Sequence, residues 1–167
     1  MKRLTSYILT AFLALAAAMP AYAMAPQVRK DITKASEKVL KAVNENRDTY
    51  DAKPAALADE LITILEPVVD FEAISKAVMG KHASKASAAQ QDRFKTVFKR
   101  TMGQLYAKSL MSIDADKISL GAPDVEMKSE KMAKVRMKVR ASEKTDYTIY
   151  YYMLKNGSKN KWQIRNV

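Results

Sequence analysis

Few residues in this chain could do chemistry. Acid–base or nucleophilic catalysis needs a His, a Cys or paired carboxylates gathered in a pocket. The 167 residues contain no Cys and one His. His82 follows Gly80-Lys81 in a polar stretch, where an imidazole is solvated rather than set against a base or an orienting acid. The patterns H-E-x-x-H, G-x-S-x-G and the phosphate-binding loop are absent. Asp114 and Asp116 stand two apart on an apparent turn, without the spacing of a calcium loop. With one imidazole and no thiolate, a metal would need a carboxylate cage, and the acidic residues show no such spacing. The expectation is a protein that is not an enzyme, with no cofactor and no metal.

The side chains that do gather are soft and apolar. Met79, Met102, Met111, Met127, Met137 and Met153 accompany Tyr147, Tyr150, Tyr151 and Tyr152. Thioethers adapt to irregular guests, and Tyr offers an apolar body with a polar tip. Such a set serves an ordinary core or a cavity equally well, and pattern alone does not separate the two. A second grouping is the comb Lys134, Arg136, Lys138 and Arg140. It suits lipid phosphates or an acidic partner. It also suits a solvated sheet face that discourages edge pairing, and both readings stay open.

The formal charge is +11, or +9 without Lys2 and Arg3. Nucleic acid, an anionic lipid surface or an acidic protein could each answer it. Nucleic acid is set aside, because the N-terminus reads as an export signal and the cations are spread along the chain. Lys2 and Arg3 form a basic start, residues 7–18 an apolar run, and Ala21-Tyr22-Ala23 a small-residue cleavage site. Residues 1–23 are therefore expected to be a cleaved signal peptide and residues 24–167 a single exported domain. Without cysteines, no disulfide staples that domain, so its core must hold it.

The elements follow from period. Residues 26–46 read as a helix whose apolar face is Val28, Ile32, Ala35, Val39, Ala42 and Val43. Pro54 suits the first turn of a second helix, with Leu57, Leu61, Ile64, Leu65 and Val68 as its stripe, and Pro67 ends it. Residues 69–79 form a third helix, with Asp70 as its cap and Gly80 as a left-handed stop. Ser87 and Gln90 make a capping box that opens a fourth helix. There Phe94, Val97, Phe98, Thr101, Met102 and Leu105 share about 140° of surface at roughly 100° per residue. After Ser112 the period becomes two. Ile118 and Leu120 alternate, then Val125 and Met127, then Ala133, Val135, Met137 and Val139 against the basic comb. Residues 147–154 are apolar on both faces and read as a central strand covered on both sides. Asn156-Gly157 turns the chain into a last strand, residues 162–167. The fold class is α+β, with N-terminal helices on one face of a three- or four-stranded antiparallel sheet.

One set of residues is more specific than these patterns. Asp70-Phe71, Val78-Met79-Gly80-Lys81, Gln90-Gln91, Phe94, Phe98, Tyr106-Ala107, Tyr151, Met153 and Trp162-Gln163-Ile164 occur in this order. In this the chain resembles the MlaC, or toluene-tolerance (Ttg2-type), family of periplasmic phospholipid-binding proteins. The resemblance implies a cone like that of nuclear transport factor 2, with helices and sheet around a deep apolar pocket. It implies a phospholipid shuttle in the Gram-negative periplasm, part of an ABC-type intermembrane system that maintains outer-membrane lipid asymmetry. Its implied partners are an outer-membrane lipoprotein–porin complex and an inner-membrane ABC transporter with a substrate-binding ring. Family members continue beyond the Trp-x-Ile-x-x-Val strand, so the single lipid-carrier domain, residues 24–167, is expected to be truncated at its C-terminus relative to them.

The expected pocket lining is the inward set by period: Phe71, Ile74, Val78, Phe94, Phe98, Met102, Leu105, Met137, Tyr151, Met153 and Trp162. Phe71, Ile74 and Val78 on one helix and Phe94, Phe98 and Leu105 on the next would form two walls, with Gly80-Lys81 at their corner. Lys134, Arg136, Lys138 and Arg140 would face a partner or head groups. A carrier of another amphiphile, hopanoid-like or linked to solvent tolerance, is an alternative, as is a ligand-free adaptor docking through the basic face. A small enzyme on a similar cone ranks last, because nearly every assignable inward position is apolar.

Overall fold

The structure, a computed structural model, describes residues 19–112, 117–142, 145–157 and 160–166. Four helices precede an antiparallel sheet. They are α1 (Met19–Asn46), α2 (Pro54–Leu65), α3 (Phe71–Met79) and α4 (Ala88–Met111). The strands are β1 (Ser119–Leu120), β2 (Asp124–Ser129), β3 (Met132–Ser142), β4 (Thr145–Asn156) and β5 (Lys161–Asn166). The α+β class and the helix-on-sheet layering are as the sequence predicts. Among the described residues, no helix is long and apolar enough to cross a membrane.

Two helix boundaries follow their local chemistry closely. α2 has Pro54 at its first turn and ends at Leu65, two residues before Pro67. α4 opens on a complete capping box: Gln90 N donates to Ser87 Oγ at 3.3 Å, and Ser87 N donates to Gln90 Oε1 at 2.8 Å. α1 differs from expectation. It begins at Met19, not Pro26, and Pro26 lies inside it. Of the expected leader, residues 1–18 lie outside the described residues.

The sheet has five strands, where the sequence predicts three or four. β3 is its spine, pairing with β4 along one edge. Its other edge is shared, with β2 beside residues 132–136 and the two-residue β1 beside Val139 and Arg140. β5 completes the far side against β4. The turn chemistry at Gly121-Ala122-Pro123 lets the chain leave β1 and rejoin β3 one segment along, so the two short alternating segments share one edge of β3.

Two apolar clusters hold these layers together. In the first, Val28 and Ile32 of α1 pack on Ala133, Val135 and Met137 of β3, Met153 of β4, and Trp162 and Ile164 of β5. In the second, Ala42 at the far end of α1 meets Leu57, Ala58 and Leu61 of α2 and Ala107 of α4. α1 therefore serves the sheet with one end and the helices with the other. The 28-residue helix is about 42 Å long, enough to span both.

β5 also anchors α3. Val69 bridges Ile164, with Ile164 N donating to Val68 O at 2.8 Å and Asp70 N to Ile164 O at 2.9 Å. Asp70 then caps α3 by accepting from Ala73 N at 3.0 Å through Oδ1. Its Oδ2 accepts from Arg165 Nε at 3.1 Å and Nη2 at 3.0 Å. One carboxylate thus starts a helix and ties it to the sheet. Asp70→Ala should cost about 2 kcal/mol, from the lost cap and the lost charged pair. A fall in the urea midpoint at unchanged slope measures this, and an unchanged midpoint would contradict the anchoring role.

α2 and α4 approach closely where Gly103 carries no side chain. A Cβ added at Gly103 would lie 2.7 Å from Ile62 Cδ1, 2.9 Å from Ile62 Cγ1 and 3.0 Å from the Ala58 carbonyl oxygen. Gly103→Val should destabilise the fold by about 1–3 kcal/mol through overpacking. Adding Ile62→Ala should return part of that loss in the same denaturation experiment, whereas a simple propensity effect would not respond to the second change.

Candidate functional site

The way α4 packs decides what it exposes. It meets α2 through its small residues, Gly103 and Ala107, both buried. At about 100° per residue, these two stand on the opposite side of the helix from Phe94, Phe98, Thr101 and Leu105. The most apolar stripe of α4 is therefore turned away from the helix cluster. Val97 is 45% exposed and Leu105 53%, while Phe94, Phe98 and Met102 are half-buried. The Phe94 and Phe98 rings stack with centroids 6.2 Å apart and planes 13° from parallel.

α3 adds a matching edge. Phe71 and Ile74 are half-buried and Val78 is 59% exposed. Gly80 closes the helix with φ +55° and ψ −130°, a positive-φ conformation open to glycine but not the left-handed helical cap expected. Lys99 Nζ lies 5.5 Å over the Phe71 ring and reaches Glu66 Oε1 at 2.5 Å, so α2, α3 and α4 meet around one ammonium. Fully burying an aliphatic side chain is worth about 1.5–3 kcal/mol. Leaving Val78, Val97 and Leu105 about half open forgoes roughly 2–4 kcal/mol on that scale.

The seam between α3 and α4 is polar. Its cleft, of about 160 Å³, is lined by Glu72, Ser75, Lys76, Ala88, Gln91, Asp92 and Lys95. Lys76 donates to Glu72 at 2.9 Å and Lys95 to Asp92 at 2.8 Å. The Lys76 hydrogen bond holds the Glu72 carboxyl below its usual range, the Lys95 hydrogen bond does the same for Asp92, and Asp92 in turn raises Lys95. These shifts fix the charged forms. A general acid or base needs the opposite tuning, toward neutral pH. A second cleft of about 220 Å³ lies at Lys38, Lys41, Ala42, Glu45, Glu60 and Ile64 and is also polar-rimmed.

On the sheet, the inner face is covered at one end and open at the other. Met153 is fully buried and Tyr151 half-buried, whereas Tyr147, on the same face of β4, is 57% exposed. Burial pushes the Tyr151 phenol up to about 12, with a smaller push from the nearby Tyr106 of α4. The unfolded chain ionises this phenol near 10 and the folded chain near 12, so folding stability should fall as pH rises through that window. Absorbance at 295 nm should show one tyrosine titrating well after the rest. Tyr151→Phe should remove that late step; its persistence would reassign the shift.

The predicted lining thus separates into three groups. Met137, Met153 and Trp162 are core residues packed beneath α1. Tyr151 is half-buried against that core, and Phe71, Ile74, Phe94, Phe98 and Met102 are half-buried on α3 and α4. Val78 and Leu105, expected to face inward, stand exposed. Period shows which residues share a face; it does not show whether that face is the one that packs.

The comb lies on the open outer face, as its period implies, but its members have neighbours. Arg136 pairs with Asp124 at 2.8 Å and Arg140 with Asp146 at 2.9 Å, while Lys134 sits 4.7 Å over Tyr150 and 5.8 Å over Tyr152. Lys138 lies opposite Thr148 and acts on Asp146. Tyr150 and Tyr152 are exposed there, so β4 is covered on one face and not on both as expected. His82 is exposed in the turn after α3, and Asp114 and Asp116 lie outside the described residues. Val97, Tyr106 and Tyr147 join the open apolar surface without having been among the predicted lining. The pair Gly103-x-x-x-Ala107 is the signal for the α4 members, since two small residues four apart mark the side on which helices approach.

The family model described as MlaC protein matches residues 33–167. The chain belongs to the MlaC family. It is 32% identical over 157 residues to toluene tolerance protein ttg2D of Pseudomonas putida, covering 93% of this chain and 71% of that protein. Among solved structures it is similar to the phospholipid-binding protein from Ralstonia solanacearum in complex with a phospholipid. The TM-score is 0.69 at 18% identity, with 82% of this chain and 74% of the other covered, a likeness of fold.

Proposed function

We propose that this protein is a phospholipid carrier of the periplasm that holds acyl chains against the apolar surface of α3 and α4 and the adjoining inner face of β4. The observation that carries this reading is the unpacked stripe of α4, which leaves Val97 and Leu105 open while the helix is fixed through Gly103 and Ala107. Large uncovered apolar surfaces on soluble proteins mark sites of interaction. Membership of the MlaC family and the fold shared with a phospholipid-binding protein support acyl chains as what covers this one.

The physical need for a carrier is simple. Each methylene transferred out of water is worth about 0.8 kcal/mol, so a diacyl lipid does not cross an aqueous space unaided. A carrier covers the tails and can leave the head group in water. The chain carries no nucleotide-binding motif, so direction comes from the relative affinities of its partners. We place it between an outer-membrane lipoprotein–porin complex and an inner-membrane ABC transporter with its substrate-binding ring, in a system that maintains outer-membrane lipid asymmetry. Its work is binding and release, without catalysis.

Native mass spectrometry of the protein isolated from the periplasm should find bound phospholipid. Phe98→Asp, which puts a carboxylate into the apolar surface, should cut the bound fraction at least tenfold while the far-ultraviolet circular dichroism stays unchanged. Saturating lipid at a hundred times its Kd should raise stability by about 2.7 kcal/mol. A protein that carries no lipid and gains no stability from added phospholipid would end this reading.

A further inference from the structure

The cations of this protein are spread along the chain, but acidic residues are scarce beside its open apolar stripe, so net positive charge gathers there. Residues 71–111 contain eight Lys and Arg against two acidic residues, a net +6 of the chain's +11. Three of the eight have acidic partners: Lys76 with Glu72, Lys95 with Asp92 and Lys99 with Glu66. Among the described residues, no acidic side chain pairs with Lys81, Lys85, Arg93, Arg100 or Lys108. The basic comb of β3 differs, with two of its four cations ion-paired and a third lying over tyrosine rings.

These five are neighbours of the exposed apolar side chains. Residues three or four apart on a helix stand side by side. Arg93 is four before Val97 and Arg100 three after it, and Lys108 is three after Leu105. Lys81 is three after Val78, in the turn that closes α3, and Lys85 follows in the same connection. The result is an apolar ridge bordered by free cations, the arrangement of an interfacial helix that lies on a bilayer with its aliphatic side chains among the head groups.

We infer that the α3–α4 hairpin docks this protein onto a bilayer surface containing anionic phospholipid. The inference rests on the carrier reading, because docking here would bring the proposed tail-binding surface to the bilayer in which its proposed partner complexes sit. Charge complementarity favours a bilayer over an acidic protein. The unpaired cations are strung along a hairpin whose α4 alone is about 36 Å long, and none of them lines the cleft at the α3–α4 seam where a fixed set of carboxylates could be gripped. A fluid layer of phosphates adapts to such spacing, and it also accepts Val78, Val97 and Leu105.

The test is co-sedimentation of the whole protein with vesicles of phosphatidylcholine alone and with about 30% phosphatidylglycerol, with bound lipid in each preparation measured by native mass spectrometry. Binding should appear only with the anionic vesicles and weaken with salt. Each cation near an anionic surface contributes about fivefold in affinity, so the triple variant K85E/R93E/R100E should lose more than about tenfold. The same variant should keep its content of bound phospholipid. V97S/L105S should also bind anionic vesicles more weakly, a loss that a purely electrostatic contact would not show. Equal binding to both kinds of vesicle, unaltered binding by the triple variant, or no vesicle binding at all would overturn the inference; the last would leave an acidic protein as the partner of these cations. If vesicle binding behaves as expected but no preparation contains lipid, the docking surface stands and the carrier reading falls.

Discussion

The close approach of α4 to α2 at Gly103 is the constraint on which the rest of this structure turns. A helix carrying two phenylalanines, a valine and a leucine on one side would ordinarily bury that side. Here the opposite side packs, because Gly103 and Ala107 let the backbone of α4 come within contact of Ala58 and Ile62. Once that contact is made, the stripe of Phe94, Phe98 and Leu105 has no helix to meet. α3 cannot cover it either, since its polar side, with Glu72, Ser75 and Lys76, is committed to the seam with Gln91, Asp92 and Lys95. The apolar surface follows from how the helices are fixed, and no local strain is needed to expose it.

α1 makes that arrangement tolerable. Its first half covers β3, β4 and β5 with Val28 and Ile32, and its last turns join α2 and α4. The two apolar clusters are thereby parts of one rod. The Asp70 and Arg165 pair adds a second tie between helices and sheet at the other side of α3. Between these ties the inner face of β4 can remain uncovered toward Tyr147 without the layers separating.

Much of this was legible in the residues because local chemistry specified it. The capping box at Ser87 and Gln90, the stop at Gly80, the break before Pro67 and the alternation of Ala133, Val135, Met137 and Val139 each act within a few residues. The departures arise where the outcome depends on distant partners. Whether residues 147–154 are covered on two faces depends on what lies beyond Tyr150 and Tyr152, and there Lys134 supplies cation–π contacts in place of a second layer. Met137, Met153 and Trp162 have the period of pocket lining and of core alike, and only the position of α1 assigns them to the core. The openness of Val78 and Leu105 was hidden for the same reason. A helical wheel reveals an apolar face, but the pair of small residues on the other side decides which face is used.

For the proposed carrier, that choice has a functional logic in free energy. A carrier whose apolar surface were filled by its own side chains would have to unpack them before taking a lipid, and its apparent affinity would fall by the fraction of time it stays packed. A surface already open carries no such penalty. It gives up roughly 2–4 kcal/mol of burial, and acyl methylenes at about 0.8 kcal/mol each can restore that amount with only a few groups covered. The cost of openness is therefore small beside what a diacyl lipid can return. The same argument fits the place of the stabilising contacts: the two clusters, the capping box and the Asp70–Arg165 tie lie away from the open stripe, so on the proposed carrier reading a lipid could load and unload without disturbing them.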